Sequence, residues 1–296
     1  MKPKSFHYRS AGTIEDALAI LAEHGSEAKV IAGGQSLVPM MNFRVVAPEV
    51  IVDINRIDSL ERLSVDGGVL RIGALVRHRR IETDPLVAIH APLLRKAVHH
   101  VAHLAIRNSG TFGGSICHAD PAAEFPACTV LLQATMEIAS TRGVREVPAE
   151  AFFKSPFLTA LEADELLVAV RIPLAAPDTA VAFHEVSRRQ GDFALSGVAA
   201  SATADGATRW VAFGVGGRPI VLAEVARLCR EARFAEIDEA AIGASVQRST
   251  DQPRWHRVQG ALDLREVVAC DLRRRPSRYV VGLAGQGQQL GRLDVG

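Results

Sequence analysis

The sequence predicts a fold of mixed helices and strands in two parts, residues 1–176 and 177–296. Three observations predict it. Compact helix and strand patterns alternate through the opening third. A strand pattern at 165–173 ends at Pro173 and runs into Ala175-Ala176-Pro177-Asp178, the best linker in the chain. Beyond it, 193–204 and 209–215 read as paired strands, followed by an amphipathic helix over 220–232. A length of 296 residues also suits about two domains, with a core that needs no disulfide or metal staple.

Residues 13–24, TIEDALAILAEH, read as the first helix. Thr13 caps it, Asp16 completes a capping box, and Ile14, Ala17, Leu18 and Leu21 recur at helical spacing. Gly25 stops it. Lys29-Val30-Ile31-Ala32 is a short strand running into Gly33-Gly34, and a second helix starts near Ser36. Val50 to Ile54 is a buried strand, and 68–76 is a strand bent at a glycine. Pro92 to Ile106 reads as one helix with its proline in the first turn. Residues 107–126 are rich in Gly, Pro and polar side chains and read as a loop, while 127–138 fit strand or helix. From about 248 the chain changes character. It becomes rich in arginine, lacks lysine and follows no period, apart from a short helical pattern at Leu262, Leu264, Val267 and Val268.

Apolar residues at 48% and charged residues at 23% are ordinary for a water-soluble globular protein. Lys+Arg at 34 against Asp+Glu at 33 leaves a net charge of +1. That field is too small for a nucleic-acid or anionic-membrane binder. No apolar run approaches the ~20 residues of a membrane span. The start, MKPKSFHYRS, lacks the apolar region of a secretory signal, so the expected compartment is the cytoplasm. Cys117, Cys128, Cys229 and Cys270 make no C-x-x-C pair and no zinc or iron–sulfur spacing, and they read as buried reduced thiols. His99, His100 and His103 would share a helix, but without a suitably spaced carboxylate they do not make a metal site.

Two segments carry adjacent glycines followed by a short polar residue: Ala32-Gly33-Gly34-Gln35-Ser36 and Thr111-Phe112-Gly113-Gly114-Ser115. Paired glycines let successive N–H groups approach an anion with no Cβ in the way. A helix starting at Ser36 would add its N-terminal partial charge. Two such loops face to face would hold both halves of a pyrophosphate, although either pair alone also reads as an ordinary turn. No G-x-x-x-x-G-K-[ST] and no strand-borne G-x-G-x-x-G is present. Gly214-Val215-Gly216-Gly217 reads as a turn.

At these residues the chain resembles a known family. V-I-A-G-G-Q-S-L-V-P-M-M-N-F-R at 30–44, I-R-N-S-G-T-F-G-G-S at 106–115 and H-A-D-P-A-A-E-F-P-A at 118–127 are similar to the FAD-binding medium subunit of molybdenum hydroxylases. That is the carbon monoxide dehydrogenase and xanthine dehydrogenase group. S-R-R-Q-G-D-F-A-L-S-G-V-A-A at 187–200 resembles the start of that subunit's C-terminal domain. The resemblance covers roughly 1–240.

It implies a two-subdomain PCMH-type FAD-binding domain at 1–176, with subdomains of about 1–57 and 58–176. A carbon monoxide dehydrogenase flavoprotein-like C-terminal α+β domain would follow at 177–296, with an atypical tail. It implies FAD contacts from Lys29, Val30, Ile31, Ala32, Gly33, Gly34, Gln35, Ser36 and Leu37. On the second motif it implies contacts from Val101, Ala102, Gly110, Thr111, Phe112, Gly113, Gly114, Ser115 and Cys117. Glu124 stands where the family has an acid that accepts from sugar hydroxyls, and Leu167 where a residue packs near the flavin ring. His184 stands where some relatives carry a lysine near that ring. His118 and Asp120 then shape the flavin-lining loop. The resemblance also implies a relay of electrons from two 2Fe-2S clusters of a small subunit, through FAD, to an external acceptor such as NAD, a quinone or oxygen. A large molybdenum-cofactor subunit oxidises the substrate, in a dimer of heterotrimers. The alternatives are a stand-alone FAD oxidase and a flavin-free assembly subunit.

Overall fold

The computed structural model describes residues 2–176 and 178–231. The arginine-rich tail, its short helical pattern, Cys270 and Pro177 of the linker lie outside the described residues.

The chain opens with β1 (His7–Ser10), α1 (Ile14–His24), β2 (Ala28–Ile31), α2 (Leu37–Asn42) and β3 (Val50–Asp53). The three strands form a parallel sheet in the order β1-β3-β2. α1 has the expected capping box, in which Thr13 accepts from the Asp16 N–H at 3.0 Å and Asp16 reaches back to the Thr13 N–H at 3.1 Å. Gly25 ends it at φ +51°, a conformation that costs a side-chain-bearing residue. Ala17, Leu18, Ile20 and Leu21 bury its apolar stripe beside Val50 and Val52 of β3.

The next stretch brings β4 (Leu63–Asp66), β5 (Val69–Gly73), α3 (His78–Thr83), α4 (Pro85–His90), α5 (Pro92–Ala97), α6 (Leu104–Ser109), α7 (Phe112–His118) and α8 (Glu124–Leu131). It ends with β6 (Thr135–Ser140), β7 (Gly143–Pro148), α9 (Ala149–Phe152), β8 (Phe153–Ser155), β9 (Leu158–Thr159) and β10 (Leu166–Pro173). An antiparallel sheet runs β4-β5-β10-β6-β7, and β8 pairs with β9. Among the described residues, no helix is long and apolar enough to cross a membrane.

Three sequence expectations change here. The helix expected from Pro92 to Ile106 is two helices, broken at Val98–His103. Ala102 takes a φ of +43°, and the Arg107 guanidinium accepts the role of cap by donating to the carbonyls of Val101 and Ala102 at 3.1 and 3.0 Å. His99, His100 and His103 therefore share no helix face: His99 approaches Glu82 at 3.6 Å, and His100 lies against Phe183. The loop expected over 107–126 contains α7, whose first turn holds the glycine pair and is capped by Thr111. The ambiguous 127–138 is both things, the end of α8 and then β6.

After β10 come β11 (Ala180–Val186), β12 (Ser196–Ala202), β13 (Thr208–Phe213), β14 (Ile220–Val221) and α10 (Ala223–Glu231). The strands make one antiparallel sheet in chain order. Successive residues alternate between its faces. Ala199, Val211 and Phe213 pack into the core shared with α8, while Val198, Ala200, Trp210 and Ala212 pack with Val225 and Cys229 of α10. Every residue of α8 is buried, because it touches β12 and β13 as well as α5, α7 and α9.

Candidate functional site: a cleft between two glycine loops

A cleft of about 790 Å³ opens where the three-stranded sheet meets the helices around α7. That volume lies in the range of ligand sites, roughly 300–1,000 Å³. The loop from Ala32 to Ser36 forms one wall, α7 and the start of α8 another, and Leu167 of β10 the floor. The segment between β11 and β12 reaches over to contribute Gly191, Asp192 and Phe193.

The first glycine pair is shaped by close approach. A Cβ on Gly33 would stand 2.4 Å from the Ser109 carbonyl oxygen, and Gly34 takes a φ of +70°. Beyond the pair, Val38 N–H donates to Gly34 O and Met40 N–H to Ser36 O. Among the described residues, the N–H groups of Gly33, Gly34, Gln35 and Ser36 meet no acceptor. Four consecutive unpaired donors on a cavity wall make a nest for an anion. α2 has six residues, so the dipole expected from it adds little.

The second pair has two different jobs. Gly113 faces the protein: its N–H donates to Ala74 O at 2.9 Å, and a Cβ there would lie 2.6–2.7 Å from Ala74. Gly114 faces the cleft, and a Cβ there would meet only the Thr111 hydroxyl, at 2.7 Å. That hydroxyl caps α7 by accepting from the Gly114 N–H at 3.1 Å. The strand-to-helix segment before α3 braces this loop. Val76 O accepts from Phe112 N–H at 2.8 Å, and His78 N–H donates to Gly110 O at 3.0 Å.

Burial sets the state of several titratable groups in the cleft. Burial pushes the Glu124 carboxyl up to about 8, reinforced by Glu185 and Asp120. It is therefore protonated at neutral pH, and a protonated carboxyl can both donate and accept. Burial lowers His78 to about 4, and its Nε2 lies 2.8 Å from Thr111 O. A carbonyl only accepts, so Nε2 carries the proton and Nδ1 is a buried, unpartnered lone pair. Burial raises the Cys117 thiol to about 12, which leaves it inert as a nucleophile. His118 is lowered by burial and packs against Phe157.

Most sequence-selected residues line this cleft: Lys29, Val30, Ala32 through Leu37, Val101, Ala102, Gly110, Thr111, Gly113 through Ser115, Cys117, Glu124 and Leu167. Three do not. Ile31 points to the opposite side of its strand, beside Tyr8 and Val38. Phe112 is fully buried against Phe125. His184 sits on β11 opposite Val198, away from the cleft wall. The sequence reading assigned no cleft role to His78, Phe157 or Phe193. S-R-R-Q-G-D-F signalled the last of these as a segment, and burial alone marks His78.

Residues 4–175 match the family described as the FAD binding domain in molybdopterin dehydrogenase. The chain is similar to the 6-hydroxypseudooxynicotine dehydrogenase complex subunit alpha of Paenarthrobacter nicotinovorans, at 38% identity over 86% of this chain and 88% of the relative. It is also similar to the caffeine dehydrogenase subunit beta of Pseudomonas sp. strain CBB1, at 42% identity over 67% of this chain and 68% of the relative. Among solved structures, quinoline 2-oxidoreductase from Pseudomonas putida 86 superposes with a TM-score of 0.81 and 36% identity, over 91% of this chain and 98% of that one. A donor nest of the right kind, a cleft of the right size and a family match across more than half the length agree: the chain belongs to the FAD-binding medium subunits of the molybdenum hydroxylases, as an oxidoreductase subunit whose cofactor is FAD.

Proposed function

We propose that this chain holds FAD in the cleft between its glycine loops and relays electrons from 2Fe-2S clusters of a small subunit to an external acceptor. A large molybdenum-cofactor subunit would oxidise the substrate, and the three chains would pair as a dimer of heterotrimers in the cytoplasm. The observation that carries this reading is the run of N–H groups from Gly33 to Ser36, without an acceptor among the described residues, on the wall of a cleft whose other wall is the Thr111–Ser115 turn. The names of the relatives support it, since they are alpha, beta or medium subunits of dehydrogenases and of a hydroxylase.

FAD supplies the exchange between one-electron and two-electron carriers. The chain's own residues bind and orient. The Gly33–Ser36 N–H groups would donate to the pyrophosphate, and Gly114 would leave it room. Glu124, protonated at neutral pH, would bond sugar hydroxyls in either sense. Leu167 and Phe193 would exclude water from the ring, and the raised Cys117 thiol stays out of the redox chemistry. The division of the chain near residue 176 belongs to the same reading, with the segment 187–195 of the second part closing over the cofactor.

The test is an anaerobic absorption spectrum of the isolated chain and of the assembled complex. Both should show two flavin bands and release FAD on denaturation. On the relay reading, the flavin should bleach with substrate only when the partner subunits are present. Bleaching of the isolated chain by a substrate would overturn the relay in favour of a stand-alone oxidase.

A further inference from the structure

We propose that Arg77 and Asn55 are positioning residues which set the spacing of the two glycine loops, and through it the affinity of the cleft for a diphosphate. The inference rests on the FAD reading above and adds residues that do not line the cleft themselves.

Asn55 follows β3, and Arg77 lies between β5 and α3, so the two extend from strands of different sheets. The Asn55 Nδ2 donates to Ala32 O at 2.8 Å and to Asp53 Oδ1 at 2.7 Å. Its Oδ1 accepts from Arg77 Nη2 at 2.8 Å, and Arg77 Nη1 donates to Ser109 O. The amide can point only one way here. Ala32 O and the Asp53 carboxylate only accept, and guanidinium only donates, so a flipped amide would lose all three bonds. The Asp53 carboxylate is itself fixed by Asn55 N–H at 2.8 Å and by the Tyr8 hydroxyl.

The relay therefore runs from the carbonyl just before the first glycine pair to the carbonyl just before Gly110. Its ends meet directly as well, since Gly33 lies against Ser109 O and Gly110 Cα. That contact is van der Waals only. The side-chain relay supplies the directional bonds, and the planar guanidinium fork sets their geometry. A few tenths of an ångström at Ala32 would re-aim the N–H groups of Gly33 and Gly34, which hold the diphosphate in the FAD reading.

The experiment measures binding of FAD and of ADP to the flavin-depleted complex. Arg77→Lys keeps the charge but cannot span Asn55 and Ser109 as a fork. Asn55→Asp keeps an acceptor for Arg77 but has no donor for Ala32 O. Each should raise the Kd for FAD about tenfold, and the Kd for ADP by the same factor. The double variant should be no worse than the weaker-binding single one, as links in one chain are not additive. The melting temperature of the depleted protein reports stability separately, and Arg77→Gln replaces any variant that fails to fold. Unchanged FAD affinity, an effect on FAD without one on ADP, or additive losses would each overturn the proposal. A wild-type complex that binds neither ligand would instead overturn the FAD reading itself.

Discussion

Gly33 and Gly110 stand backbone against backbone: a methyl group on Gly33 would lie 2.8 Å from the Gly110 Cα. Real Cβ atoms do not tolerate that distance, and backbone cannot step aside as a flexible side chain can. Gly33→Ala should therefore push the loops apart, at about 1–3 kcal/mol of overpacking. Purified complex should carry little flavin and melt several degrees lower. Full flavin content would show that the loops do not need their contact.

Gly113 and Gly114 are neighbours with opposite expected phenotypes. Gly113→Ala drives a methyl into Ala74 and should destabilise the flavin-free protein. Gly114→Val places its side chain in the cleft and disturbs only the Thr111 cap, worth about 1 kcal/mol. It should abolish FAD retention while the depleted protein melts nearly as wild type. Equal melting losses in the two variants would refute this division.

His78 predicts an acidic limb in the stability profile. Its folded value of about 4 lies below the ordinary 6.5, so below 6.5 the unfolded chain takes up a proton that the folded chain refuses. Its contribution is present above 6.5 and is lost as pH falls toward 4. The full loss is about 3 kcal/mol. His78→Gln should start less stable and show a flatter slope between those limits. An unchanged slope would mean that another group titrates there.

Glu124 predicts the opposite limb. Its folded value of about 8 lies above the ordinary 4.5, so its contribution is present below 4.5 and lost as pH rises through 8. Glu185, raised by burial to about 7, adds in the same direction. In the flavin-free protein, Glu124→Gln should gain stability at pH 9 relative to pH 6 when compared with wild type. Thermal melts across that range decide it, and a parallel profile would place the titration elsewhere.

The sequence carried the local structure well where one periodicity ruled. α1 and its capping box, β3 and the Pro173 end of β10 follow from spacing alone. It failed where tertiary bonds overrode pattern. The apolar spacing from Pro92 to Ile106 is continuous, yet Arg107 captures the Val101 and Ala102 carbonyls and two helices result. Two glycines in a row argue against a helix, yet Thr111 and Ala74 hold α7 in place. The site was readable as two motifs, because close backbone approach demands glycine at fixed positions. The braces were not: Asn55, Arg77 and His78 belong to no motif, and only the fold brings them to the loops. Ile31 and Phe112 show the converse limit, since a motif spans residues that face away from the cleft.

α8 has a consequence for how the protein is made. Part of its apolar surface is covered by β12 and β13, which emerge from the ribosome about 65–80 residues after it. At roughly 5–20 residues per second, the helix waits about 3–16 seconds for its cover. During that interval the face of α8 that meets β12 and β13 lacks its cover, although Phe125 already has Phe112 and His78 beside it. A chaperone that binds apolar segments would find its target there.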